Sequence, residues 1–185
     1  MAGETVKSTA ITNLDAAPPV RATAGGPGGW YAPIMADARV AFQTAMDNTS
    51  VYRLLRIPSE ARVKKVEVWQ DAANTTLAFD LGVYYSDQTL DMVGIGSGKT
   101  GVVMPDNDLF AAAYDAHAIV TPTEVTFQST EFTGADSDKP IWSVADSALT
   151  NDPGGFFDIT ATFTSTSSGA GTLNCRVTYS LPYAD

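Results

Sequence analysis

The chain has 185 residues and a formal charge of −10, from 11 Lys and Arg against 21 Asp and Glu, with 44% hydrophobic residues. That length is enough to bury one core, and the acidic balance excludes a general affinity for nucleic acid or anionic membrane, both of them polyanions. No segment approaches the roughly 20 apolar residues that cross a bilayer, and a single cysteine, Cys175, excludes an internal disulfide or a thiolate metal cluster within one chain.

The acidic residues are mostly Asp, 16 against 5 Glu, while Thr reaches 22 and Val 15 with only 5 Lys. Glu and Lys fill exposed helix faces, whereas Thr and Val suit pleated, half-buried surfaces. The composition therefore predicts a mostly β chain with Asp in its turns.

Residues 1–38 read as an extended N-terminal arm and 39–185 as a β-sandwich domain. The stretch MAGETVKSTAITN lacks the apolar centre of a secretory signal. Pro18-Pro19 and Gly25-Gly26-Pro27-Gly28-Gly29 oppose regular structure. Trp30 and Tyr31, directly after, serve either as an anchor on a partner or as a cap on the domain's own core.

From residue 39 the apolar residues recur every second position, the period of a half-buried strand. Val40, Phe42 and Met46 share a face; Val51, Leu55 and Ile57 alternate with Tyr52 and Arg56, with Arg53 on the apolar side. Val66 and Val68 continue the pattern, but Val63 is out of phase across Lys64-Lys65, as one inserted residue, a β-bulge, would make it. Leu77 to Tyr85 alternate cleanly, with Asp80 facing away. Asp106–Ala118, rich in alanine, is expected as a short helix or an irregular loop. Val125 and Phe127 alternate with polar neighbours. Asp136–Leu149 carries Pro140 early and predicts a short helix closing one end of the sandwich. Phe157 to Phe163 and Leu173 to Leu181 are the last strands, joined by the Ser/Gly-rich residues 165–171 as a hairpin tip. Strands apolar on one face predict an antiparallel, jelly-roll-like sandwich of seven or eight strands, with one or two short helices.

No catalytic set assembles from the sequence. Gly94 to Thr100 imitates a phosphate-binding loop, but Val93 stands where the first glycine is needed and no helix can follow. His117 is the sole histidine and Asp115 lies two residues away, yet no Gly-x-Ser-x-Gly elbow exists. Asp106, Asp108 and Asp115 offer oxygen ligands for calcium, but without the EF-hand spacing; no cofactor or metal is expected. Cys175 falls on the apolar face of its strand as a small hydrophobe. The charge is uneven: residues 1–66 carry net +3 and 67–185 net −13. Arg53, Arg56, Arg62, Lys64 and Lys65 cluster in the basic part, as a solvated strand edge or as a surface facing an acidic partner.

The stretch Val51 to Val63, VYRLLRIPSEARV, resembles one that recurs in small virion proteins of tailed bacteriophages, encoded beside the major capsid protein. The likeness extends to Ser8–Asn13, Asp80–Tyr84, Lys139–Trp142, Asp152–Gly155 and the Thr-rich final strands. It implies a head decoration, or cement, protein: a non-enzymatic part made in the host cytoplasm that sits on the outer surface of the assembled head. Its expected partners are the major capsid protein and copies of itself, as dimer or trimer, with neither nucleic acid nor membrane. The expected docking residues are Ile11, Leu14, Val20 and Arg21 in the arm, Trp30 and Tyr31 as anchors, and Arg53, Arg56 and Arg62 for capsid carboxylates. A tail or fibre component is one rival reading. Another is a carbohydrate-binding sandwich in which Trp69, Tyr84 or Tyr85 would stack on sugar rings.

Overall fold

The computed structural model describes residues 5–8, 11–12, 33–44, 48–72, 76–86, 106–145 and 149–182. Nine strands run through them: β1 (Thr5–Lys7), β2 (Ile34–Phe42), β3 (Val51–Pro58), β4 (Arg62–Gln70), β5 (Ala78–Tyr85), β6 (Asp106–Asp115), β7 (Thr123–Glu124), β8 (Phe156–Phe163) and β9 (Gly171–Ser180). They form a five-stranded sheet in the order β1-β3-β8-β5-β6 and a four-stranded sheet in the order β2-β9-β4-β7. All pairs are antiparallel except β1 with β3. The expected all-β sandwich is what the chain forms.

The core lies between the sheets and is built from the residues of period two. Phe157, Ile159, Ala161 and Phe163 of β8 and Leu173, Cys175, Val177 and Tyr179 of β9 are all buried. Phe163 is the hub, with ring centroids 4.9 Å from Tyr52, 6.0 Å from Phe79 and 5.9 Å from Phe42. Edge-on aromatic packing of this kind adds to plain area burial.

Several expectations hold and several do not. The bulge anticipated beside Lys64 is there: the β4–β9 register slips between Val63 and Lys65. A second slip, between Arg53 and Leu55 in the β3–β8 pair, was not anticipated. It turns Tyr52 into the core with Leu55 and Ile57, and Arg53 to the opposite face with Arg56. Residues 165–171 do not make a hairpin, because β8 and β9 belong to different sheets and the connection crosses between them. Asp106–Asp115 is a strand rather than a helix or loop, interrupted by register shifts on either side of Leu81 in its pairing with β5. The Val125 region is strand only at Thr123–Glu124; Val125 is buried, but Phe127 is exposed and stacks on Phe132 at 5.9 Å. The closing helix is real and short: a 3-10 turn at Asp136–Asp138 leads into α1 (Ile141–Ala145), tied to the β3–β4 turn by Ile141 N–H to the Ala61 carbonyl, 2.8 Å.

Two pieces of the expected arm belong to the sandwich. β1 pairs with β3, and β2 begins at Ile34 instead of residue 39. Ser8 then fixes the chain after β1: its N–H donates to the Arg53 carbonyl at 2.7 Å, its hydroxyl donates to the Leu54 carbonyl, and its Oγ accepts the Ile11 N–H.

Candidate functional site

Arg53 and Asp158 make a buried polar centre on the face of the five-stranded sheet that points away from the core. The β3 bulge sets Arg53 opposite Thr160 and Arg56 opposite Asp158. Arg53 Nη1 donates to Asp158 Oδ2 at 2.8 Å and to the carbonyls of Tyr85 and Ser86 at 3.2 Å each. Arg56 Nε donates to Asp158 Oδ1 at 2.7 Å. One carboxylate thus serves two guanidiniums, with Arg53 1% and Asp158 0% exposed. This corrects the expected docking role of Arg53, which has almost no surface to offer; Arg56 is part-buried and held by the same carboxylate. Ile11, also expected to dock, is fully buried. Arg62, at the start of β4, is half-buried. Leu14, Val20, Arg21, Trp30 and Tyr31 lie outside the described residues, as do Met46 and the Gly94–Thr100 loop.

The outer face of the four-stranded sheet is open and its charges are ordered in rows. Register places Asp37, Arg176, Glu67 and Glu124 in one row across the strands, and Arg39, Asn174 and Trp69 in the next. Arg176 Nε donates to Asp37 Oδ1 at 2.7 Å and its guanidinium lies 5.5 Å over the Trp69 ring. The Asp37 carboxylate raises the Arg176 pKa further. Lys65 Nζ donates to Glu67 Oε1 at 2.9 Å, which raises the lysine's pKa. Arg39 pairs with Asp71. Opposite charges side by side on adjacent strands favour the pairing that brings them together.

A third feature is acidic. Asp106, Asp108 and Glu131 bring carboxylate oxygens within 4.8 Å of one another. Burial, then the Glu131 carboxyl beside it, pushes the Asp106 pKa up to about 7. Of the three aspartates considered as calcium ligands, only Asp106 and Asp108 come together; Asp115 sits at the far end of β6, where His117 Nδ1 lies 2.5 Å from its Oδ1 and lowers its pKa. Nothing in the sequence spacing pointed to Glu131, which a loop returns to the start of β6 through the Ser129 hydroxyl donating to the Leu109 carbonyl at 2.8 Å.

The sugar-stacking platform loses two of its three rings: Tyr84 and Tyr85 are buried, and Tyr84 shares a hydrogen bond with the Thr162 hydroxyl at 3.0 Å. Trp69 is half-buried under Arg176. Cys175 is buried as expected, and desolvation raises its thiol pKa.

No protein-family model matches this chain, and no curated protein does. Solved structures do. A chain in the capsid of Ralstonia phage GP4 aligns with 97% of this chain and 99% of its own length, at 12% identity and a TM-score of 0.57. A chain of the cyanophage Pam1 capsid asymmetric unit covers 89% of this chain and 96% of itself, with 17% identity and a TM-score of 0.40. A chain of the acid-stable capsid of Helicobacter pylori bacteriophage KHP30 covers 83% and 95%, with 14% identity and a TM-score of 0.35. At such identities a likeness speaks of architecture, and the chain shares its fold, end to end, with the GP4 capsid chain.

Proposed function

We propose that this chain is a structural, non-enzymatic protein of a tailed-phage virion, docking on the outer surface of the assembled head as a decoration, or cement, protein. The observation that carries the reading is the end-to-end fold likeness to a chain in the GP4 capsid, joined to the sequence resemblance around Val51 to Val63. The net charge of −10 suits an outer, solvated surface better than a DNA-lined interior. Many copies that bind the assembled lattice but not free subunits would stabilise it by mass action.

Docking then falls to the arm, through Leu14, Val20 and Arg21 with Trp30 and Tyr31 as anchors, and to Arg62 on the domain. Ser8 and Ile11 act at the root of the arm, fixing where it leaves β3. Arg53 and Arg56 hold the sheet on which that root sits.

Co-sedimentation with expanded, undecorated capsids tests the reading. Saturable binding at a lattice multiple, on the order of hundreds of copies per shell, is expected for decoration of an icosahedral surface. No binding to matched shells overturns it. Replacing residues 13–32 with an equal length of Gly and Ser, which spares β1 and Ile11, should keep the domain folded and abolish binding.

A further inference from the structure

Four strands end the two sheets, and three of them are poor templates for further pairing. β1 has three residues and β7 two. β6 is broken by two register shifts and carries Ala113 at φ +44°. Short or bulged edges of this kind resist added strands. β2 differs: its nine residues contain no proline and pair with β9 without one register shift. Its second side therefore presents a straight run of backbone donors and acceptors with no strand beside it among the described residues.

We propose that this edge pairs antiparallel with the β2 edge of a second copy, in the register that sets Ala38 opposite Ala38. That register places Asp37 opposite the Arg39 of the other copy, and Arg39 opposite its Asp37. Both side chains are open, Asp37 59% and Arg39 67% exposed. Each already has a partner within its own chain on the β9 and β4 side, Arg176 across the strand pair and Asp71 just past β4, so the crossing contact is made by the carboxylate and guanidinium atoms outside those two pairs. Across the seam the row would read Asp71, Arg39, Asp37, Arg176, alternating in sign.

Charge and pleat together favour this register over its neighbours, and centring the pair on Ala36 or Val40 keeps the pleat but brings no opposite charges face to face. Centring the pair on Asp37 sets two aspartates face to face, and centring it on Arg39 sets two arginines so; like charges directly opposite destabilise a strand pair. A shift by one residue would turn Val40 and Phe42, which are buried, toward the solvent face of the neighbour. In the chosen register Met35, 68% exposed, lies against Ala41, and the half-buried Ile34 and Ala36 gain cover. The contact is self-complementary about a two-fold axis, the commonest symmetry of homo-oligomers. It joins two four-stranded sheets into one continuous sheet.

Sedimentation velocity on the full chain over a concentration series tests this without any capsid, so its outcome is separate from shell binding. The chain is expected to dimerise. A chain that stays monomeric at about 100 µM overturns the proposal. Asp37→Arg and Arg39→Asp each place like charges at both crossing positions and should raise the dimer Kd by about tenfold or more. Their equimolar mixture should recover a heterodimer, because both crossing pairs are then opposite in sign. A mixture no tighter than the separate variants overturns the register. Hydrogen exchange on the unaltered protein gives a reading free of variants: β2 amides should lose protection as dilution dissociates the dimer, and unchanged exchange would place the dimer contact elsewhere.

Discussion

Arg53 and Asp158, 105 positions apart in the chain, meet at 2.8 Å where neither has exposed side-chain surface. The cost of desolvating both charges is offset only while both are present. Asp158→Ala is therefore expected to destabilise the fold by about 3–5 kcal/mol, since it leaves the buried guanidinium uncompensated. Arg53→Met combined with Asp158→Leu should cost much less than the sum of the single changes. Urea unfolding at constant m-value measures both; an additive double variant would contradict the pairing.

Gly82 sits on β5 where the start of β6 passes over it, and a Cβ there would fall on the Asp106 carbonyl and the Asn107 backbone. Backbone cannot yield as a side-chain tip can. Gly82→Ala should displace the first residues of β6 and lower stability by about 1–3 kcal/mol, the usual range for overpacking. Thermal melting gives the loss, and faster amide exchange in β6 locates it.

The Asp106 carboxyl is protonated far more readily in the folded chain, at about 7, than its ordinary value of 3.8 allows. Between those values the folded state holds a proton that the unfolded state has lost. The stabilisation from this proton is full below pH about 4 and disappears as pH rises through about 7. The urea midpoint should therefore fall from pH 5 to pH 8, and Asp106→Asn should flatten that slope. Asp136 has the opposite sign: the Lys139 ammonium and Thr133 lower it to about 2, so its contribution is lost only as pH drops from about 4 through 2.

Cys175 should resist thiol reagents. It is fully buried between the sheets and its thiol pKa is raised by desolvation, so little reactive thiolate forms. Labelling with a disulfide-exchange reagent is expected to proceed only at the rate of unfolding, and to become fast in denaturant.

The period-two pattern made the sandwich legible, and even the slip at Val63–Lys65 showed as a break in phase. It failed where polar residues are buried. Asp158 and Thr160 alternate with apolar neighbours and so read as a solvent face, yet both are buried, because Arg53 and Arg56 from a distant strand meet the carboxylate. The same long separation hid the fate of the two arginines, whose clustering was visible but whose partner was not. β6 was obscured by Ala111, Ala112 and Ala113, which carry little strand preference; pairing with β5 overrides it. Adjacency in sequence made β8 and β9 look like a hairpin, since nothing local says that a Ser/Gly loop crosses between sheets.

The place of β9 governs how the chain can be assembled during synthesis. It is a central strand of the four-stranded sheet, joining β2 to β4, although it is the last of the described strands in chain order. While the ribosome is still short of residue 171, β2 and β4 have each been made but have no common neighbour to bind. Their apolar faces, Val40 and Phe42 on one and Val66 and Val68 on the other, must wait for Gly171–Ser180. Such distant pairing makes for slow folding and leaves β2 without its neighbour, and β4 with only the two-residue β7 beside it, open to aggregation in the interval. Any truncation that removes β9 should therefore yield insoluble chain rather than a smaller domain.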